Sequence, residues 1–152
     1  MTMNDEEIIR NAIQWLKMLV SGKYVQGYES LKSETKDGKD AYCCLGIGAM
    51  AQGRPKDAVG WTDSILHNSE ADRLGLVSGG GSNLDFGLPN LWTLNDRRDK
   101  SFKEITVILL NVPGYFKDKY FYPIREEAMK HGDLVELVER VADNLKANEL
   151  TS

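Results

Sequence analysis

The sequence predicts an α+β domain that is mainly helical, with four or five helices around a buried central helix (about 42–52) and two to four short strands. Three observations predict it. The run Tyr42-Cys43-Cys44-Leu45-Gly46-Ile47-Gly48-Ala49-Met50 is nearly all apolar and carries no charge, as suits an element buried on every face. The stretches that begin at Asn4 and at Asp133 carry apolar residues at helical spacing. Between the first of these and the apolar run that period breaks, and glycines and a polar tract bound short extended pieces.

At the N-terminus, Asn4 with Glu7 three positions later has the form of a capping box. Ile9, Ile13, Leu16 and Val20 follow at helical spacing until Gly22. Trp15 lies off that stripe and is expected at the rim of the core. Residues 23–40 scatter Tyr24, Val25, Tyr28 and Leu31 among Gly27, Gly38 and polar side chains. They predict extended segments around a turn at Lys36-Asp37-Gly38-Lys39. In the central helix, Gly46 and Gly48 each cost about 1 kcal/mol relative to alanine. That cost is accepted where another element must approach the backbone closely. Gly53 and Pro55 stop the helix.

Beyond it the pattern loosens. Trp61 is expected to open a strand or turn, and Ser69–Gly75 to form one or two helical turns closed by glycine. Residues 78–83 are expected to be a flexible glycine loop, followed by an apolar stretch from Leu84 to Leu94. Ser101 and Glu104 form a capping box ahead of Phe102, Ile105, Ile108 and Leu109, and Val112-Pro113-Gly114 ends that helix. Tyr115–Tyr122 holds five aromatics and is expected as an extended segment or edge strand. Pro123 is expected to open a short helix closed by Gly132. The last helix starts at Asp133 with a Leu134, Leu137, Val138, Val141, Leu145 stripe and an outer Glu136–Arg140 pair.

A chain of 152 residues, 41% hydrophobic and 28% charged, fits one domain spanning 1–152 with a single core. Its net charge of -4 and pI near 5.2 argue against a broad nucleic-acid footprint, which needs clustered Lys and Arg. Asn4-Asp5-Glu6-Glu7 is acidic where a secretory signal is basic. The aliphatic run Ile105–Leu110 is too short to span a bilayer, so no membrane partner is expected. Two adjacent cysteines make no disulfide framework and point to a reducing cytosol. Two Cys and two His without ligand-type spacing imply no metal and no cofactor.

Trp15-Leu16, Ser21-Gly22-Lys23-Tyr24, Gln26-Gly27, Leu31 and Tyr42-Cys43-Cys44-Leu45-Gly46, followed by Leu94-Asn95-Asp96 and Ser101-Phe102-Lys103-Glu104-Ile105, together resemble a family of small proteins common in bacteriophage genomes. The resemblance covers residues 13–50 and 91–108. Gly48-Ala49-Met50 and Arg97-Arg98-Asp99-Lys100 depart from the family's pattern, and the helix after Pro123 is additional. Those departures weaken any claim that a shared catalytic residue lies there. The resemblance implies context: a protein at work in the cytoplasm of an infected bacterium, interfering with or exploiting the host.

Two sites stand out. Cys43 lies near a predicted helix start, where the dipole and free amides favour a thiolate nucleophile, with His67 or His131 as the base. The same residue suits an ordinary buried core. Arg97, Arg98 and Lys100, just before Ser101, suit an anionic ligand through guanidinium contacts and the helix-start amides. The glycines at 79–81 could add further amides. Trp92, or a tyrosine of 115–122, could stack on a base, and Asn95 and Asp96 could bind a metal or a ribose, or simply shape a turn.

Three functions follow. The first is a non-enzymatic protein that counters host defence by sequestering a nucleotide-like signal. The second is direct inhibition of a host protein through Tyr115–Tyr122, with self-association left open. The third is a cysteine-dependent hydrolase or transferase using Cys43.

Overall fold

A computed structural model describes residues 4–55, 59, 65–81, 88–98 and 100–142, with side chains as far as Val138. The expectations placed on Trp61, on residues 82–87, on Asp99, and on the Arg140, Val141 and Leu145 side chains lie outside the described residues. Within them the chain is α+β and mainly helical, with seven helices and one three-stranded sheet.

Helix α1, Asp5–Val20, begins where Asn4 caps it: the Asn4 side chain accepts from Glu7 N at 2.9 Å and donates to the Glu7 carboxylate at 3.2 Å. Its buried face runs Ile8, Ala12, Ile13, Trp15, Leu16 and Leu19, so Ile13 and Leu16 of the predicted stripe are buried while Ile9 and Val20 lie half-buried at its edge. Trp15 is therefore not a rim residue but fully buried. Its one polar atom is satisfied there, because the indole N–H donates to the Cys44 carbonyl at 2.9 Å.

Strands β1 (Val25–Gln26), β2 (Lys32–Glu34) and β3 (Asp40–Tyr42) form a sheet of order β1-β3-β2. β2 and β3 are an antiparallel hairpin, and β1 lies parallel to β3 on its other side. The turn closes by Thr35 N to Lys39 O at 2.8 Å, with Gly38 at φ +80, where a side chain would strain the backbone.

The apolar run then splits. Tyr42 belongs to β3, Cys43 is extended at φ -77, ψ 171, and the central helix α2 spans Cys44–Ala51. Cys43 caps it, its Sγ accepting from Gly46 N at 3.4 Å. Cys44 to Ala49 are all buried. A methyl on Gly46 would overlap the Leu31 carbonyl, and one on Gly48 would meet Leu74 and Trp15. The glycines are there so that Leu31 and α1 can reach the helix backbone.

After α2, a polar cluster fastens the short helix α3, Asn68–Arg73. The buried Glu70 carboxylate accepts from Arg54 Nε at 2.6 Å, Gln52 Nε2 at 2.9 Å and His67 N at 3.1 Å. Burial raises its pKa, but the Arg54 and His67 hydrogen bonds outweigh that and hold it below the ordinary 4.5. A carboxyl depressed by folding stabilises above its unfolded pKa and loses that contribution as pH falls through the folded value. Urea midpoints are thus expected to drop below pH 4.5 in the native protein. In Glu70→Gln that part of the pH dependence should vanish, at the cost of a lower midpoint at neutral pH.

Residues 79–81 are buried rather than an open loop. Gly79 O accepts from Leu66 N at 3.1 Å and Gly80 O from Leu91 N at 2.9 Å. They deliver the chain to α4, Leu91–Asp96, a short helix hidden in a stretch that the sequence marks only as apolar. α5, Phe102–Asn111, has the complete Ser101–Glu104 capping box, with both reciprocal bonds at 3.1 Å.

The segment Tyr115–Tyr122 is not a strand. Phe116 makes one bridge to Leu76, and helix α6 runs Asp118–Ala128 with Pro123 inside it. Helical spacing decides the matter: Tyr120, Phe121, Ile124 and Ala128 share the buried face, while Tyr122 is 67% exposed. α7, Gly132–Ala142, packs Leu134 and Val138 inward. Among the described residues no helix is long and apolar enough to cross a membrane.

Candidate functional site

The residues of α4 point in different directions. Leu91, Leu94 and Asn95 are buried, whereas Trp92 and Asp96 are half-buried and Arg97, just past the helix, is exposed. Asn95 has no exposure at all, and both ends of its amide are used. Its Oδ1 accepts from Gln26 Nε2 at 2.8 Å and Cys44 N at 3.3 Å; its Nδ2 donates to Gly27 O and to Asp96 Oδ1, each at 2.8 Å. Two acceptor sites and two donors are all that an amide has. Asn95 is thus not a ligand contact but a fastener. It ties β1, the loop after it, the start of α2 and α4 together.

Asp96 extends the fastening. Besides accepting from Asn95, its carboxylate takes the Glu29 N–H at 3.0 Å. That bond holds Glu29 at φ 73, the one non-glycine residue with positive φ among those described. Such a conformation costs an L-residue about 1–2 kcal/mol and persists only where the surroundings enforce it.

The consequence is a cleft of about 660 Å³ lined by Tyr28, Glu29, Ile65, Trp92, Asp96 and Arg97. Tyr28 and Ile65 are large apolar side chains left 44% and 48% exposed. The Arg97 guanidinium carbon sits 5.5 Å from the centre of the Trp92 ring. A guanidinium held over a ring through its charge keeps N–H donors for an anion.

The structure therefore brings Trp92, Asp96 and Arg97 of the sequence-predicted group to one cleft, places Asn95 beneath it, and leaves Arg98, Lys100 and Ser101 outside its lining. Arg98 is exposed; burial raises the pKa of the Tyr115 phenol, and the Arg98 charge opposes that by a smaller amount. Lys100 contributes backbone instead, its N–H donating to Leu94 O at 2.9 Å and its carbonyl accepting from Gln26 at 2.8 Å. Ser101 Oγ is occupied by the α5 cap. The glycines at 79–81 approach Trp92 through Gly80, yet the Gly81 amide is bonded back to Ser78. Sequence reasoning missed Tyr28, Glu29 and Ile65. An exposed aromatic following Gly27 was the one available signal.

Cys43 and Cys44 are buried, free thiols. Burial pushes the Cys43 thiol up to about 11, against smaller lowering by amides at the α2 start. Cys44 is raised further by the same cause. Among the described residues no histidine hydrogen-bonds to Cys43; His67 caps α3, and His131 sits 3.5 Å from Lys17 Nζ beside another cleft, of about 510 Å³, along α1. A thiol with a pKa of 11 is protonated at neutral pH and is a poor nucleophile. In the folded protein both cysteines should resist a chromogenic disulfide reagent at about pH 7.5 and react fully once urea unfolds it. Rapid labelling of Cys43 in the native state would contradict this.

No family model matches the chain, and no curated protein or solved structure is significantly similar to it.

Proposed function

We propose that this protein binds a small nucleotide-like molecule in the Tyr28–Trp92–Arg97 cleft without transforming it. The observation that carries the reading is the union of two partly exposed aromatic rings with a guanidinium lying over one of them in one cleft. Stacking a base on an aromatic side chain is worth about 1–3 kcal/mol. A guanidinium adds charge-assisted hydrogen bonds to a phosphate. The cleft is held from below by a saturated amide, so binding does not have to meet the cost of ordering its walls. In the phage-type setting that the sequence resembles, holding such a molecule withdraws a signal from the host's defence. The competing reading, a host protein blocked through Tyr115–Tyr122, keeps Tyr122 alone, since the other four aromatics of that segment are buried.

Titration calorimetry with nucleosides and their monophosphates tests the proposal. Arg97→Ala should weaken the monophosphates at least tenfold and leave the uncharged nucleosides unchanged, while Trp92→Ala should weaken both. Failure of the wild-type protein to bind any of them at millimolar concentration, with no small molecule released on denaturing the purified protein, would overturn it.

A further inference from the structure

We infer that the cleft is built for a guanine-type base carrying a single phosphate, with Glu29 as the residue that reads the base; this rests on the nucleotide reading above. Glu29 and Asp96 both line the cleft, but their carboxylates differ in what they have left to offer. Each Asp96 oxygen already accepts a bond, one from Asn95 Nδ2 and one from Glu29 N. The Glu29 carboxylate is exposed and makes no hydrogen bond or ion pair among the described residues. It is presented there by a left-handed backbone, φ 73, in a position that glycine or asparagine would fill with less strain. A strained residue at a cleft, fastened through its own N–H and with its side chain left open, points to a use for that side chain.

An ionised carboxylate only accepts, and its two oxygens suit two parallel donors. Guanine presents adjacent N1–H and N2–H donors on its pairing edge. Adenine and cytosine place an acceptor nitrogen beside their amino group, which would face a carboxylate oxygen repulsively. Uracil has one N–H between two carbonyls. Tyr28 and Trp92 supply the stacking faces and Arg97 the phosphate contact. Two carboxylates against one guanidinium leave the lining net anionic, which disfavours a polyphosphate tail.

The test titrates wild type, Glu29→Gln and Glu29→Gly with the 5′-monophosphates of guanosine, inosine and adenosine and with guanosine triphosphate. In wild type, guanosine monophosphate should bind at least tenfold tighter than adenosine monophosphate and tighter than the triphosphate. Inosine monophosphate, which lacks the N2 donors, should fall between. Glu29→Gln should weaken guanosine monophosphate about tenfold and leave adenosine monophosphate equal or tighter, since an amide matches a donor–acceptor edge. Glu29→Gly relieves the backbone and remains folded, and it should show the same loss for guanosine monophosphate, which separates base reading from misfolding. Equal binding of the two monophosphates by wild type, or equal weakening of both in Glu29→Gln, would overturn the guanine inference and leave the nucleotide reading standing. If none of the four ligands binds, the guanine inference falls, and the nucleotide reading falls with it when the other nucleosides and monophosphates also fail to bind and no small molecule is released on denaturing the protein.

Discussion

Asn95→Ala is expected to lower the free energy of unfolding by about 3–5 kcal/mol, the largest loss from any single polar substitution among the described residues. The change leaves Cys44 N–H and Gly27 C=O without their Asn95 partner in the interior. A buried group left unpaired costs about 1–3 kcal/mol, and Asn95 serves four partners. Urea unfolding with an unchanged slope checks the value. The loss should also be functional. Even at temperatures where the variant stays folded, ligand affinity should fall, because the loop bearing Tyr28 and Glu29 is no longer tied to the helix bearing Trp92. Asn95→Asp is the informative companion. It keeps the acceptor for Cys44 and Gln26 but loses both donors and sets a carboxylate against Asp96, so it should be almost as damaging. A loss below about 1 kcal/mol for the alanine variant would mean that the hub does not hold the cleft.

The second large effect is expected at Gly46. Alanine there gains about 1 kcal/mol of helix propensity, yet its methyl would overlap the Leu31 carbonyl oxygen. That oxygen also accepts from Cys43 N at 3.3 Å, so the strand side cannot retreat without loosening the α2 start. Overpacking of a tight core costs about 1–3 kcal/mol and occasionally more. With backbone as the obstacle, a net loss of about 3 kcal/mol or poor recovery of soluble protein is expected. Gly48→Ala is the control. Its methyl would meet side chains, Leu74 Cδ1 at 3.0 Å and the Trp15 ring at 3.3 Å, which can adjust, so it should stay within about 1 kcal/mol of wild type. Equal effects at the two positions would show that helix propensity, and not the Leu31 contact, governs this helix.

What was legible in the sequence was local. The Asn4–Glu7 and Ser101–Glu104 caps are read from residues three apart, and both form as expected. The apolar run with its paired glycines marked the central helix, although β3 claims Tyr42 from it. The misreadings depend on distant partners. Trp15 is buried because a carbonyl 29 residues away satisfies its N–H. Aromatic content suggested an extended segment or edge strand at 115–122, but from Asp118 onward a helical face with Ile124 and Ala128 outweighs that preference. Of the candidate ligand residues, Trp92, Asp96 and Arg97 line a cleft, whereas Asn95 is used entirely within the fold. Nothing in Tyr28-Glu29-Ser30 signals a left-handed residue, since the carboxylate that fixes it lies 67 positions on.

That separation has a thermodynamic consequence. One wall of the cleft comes from the loop after β1 and the other from α4, joined by bonds that span 67 to 69 residues. No local fragment of the chain contains both walls, so the unfolded chain offers a ligand no comparable site. Whatever occupies the cleft is then linked to folding itself: at about a hundred times its dissociation constant it adds about 2.7 kcal/mol to the stability of the native state. A melting curve recorded with and without a small molecule therefore reads occupancy of the cleft directly, with no label attached and whatever the chemistry of the ligand.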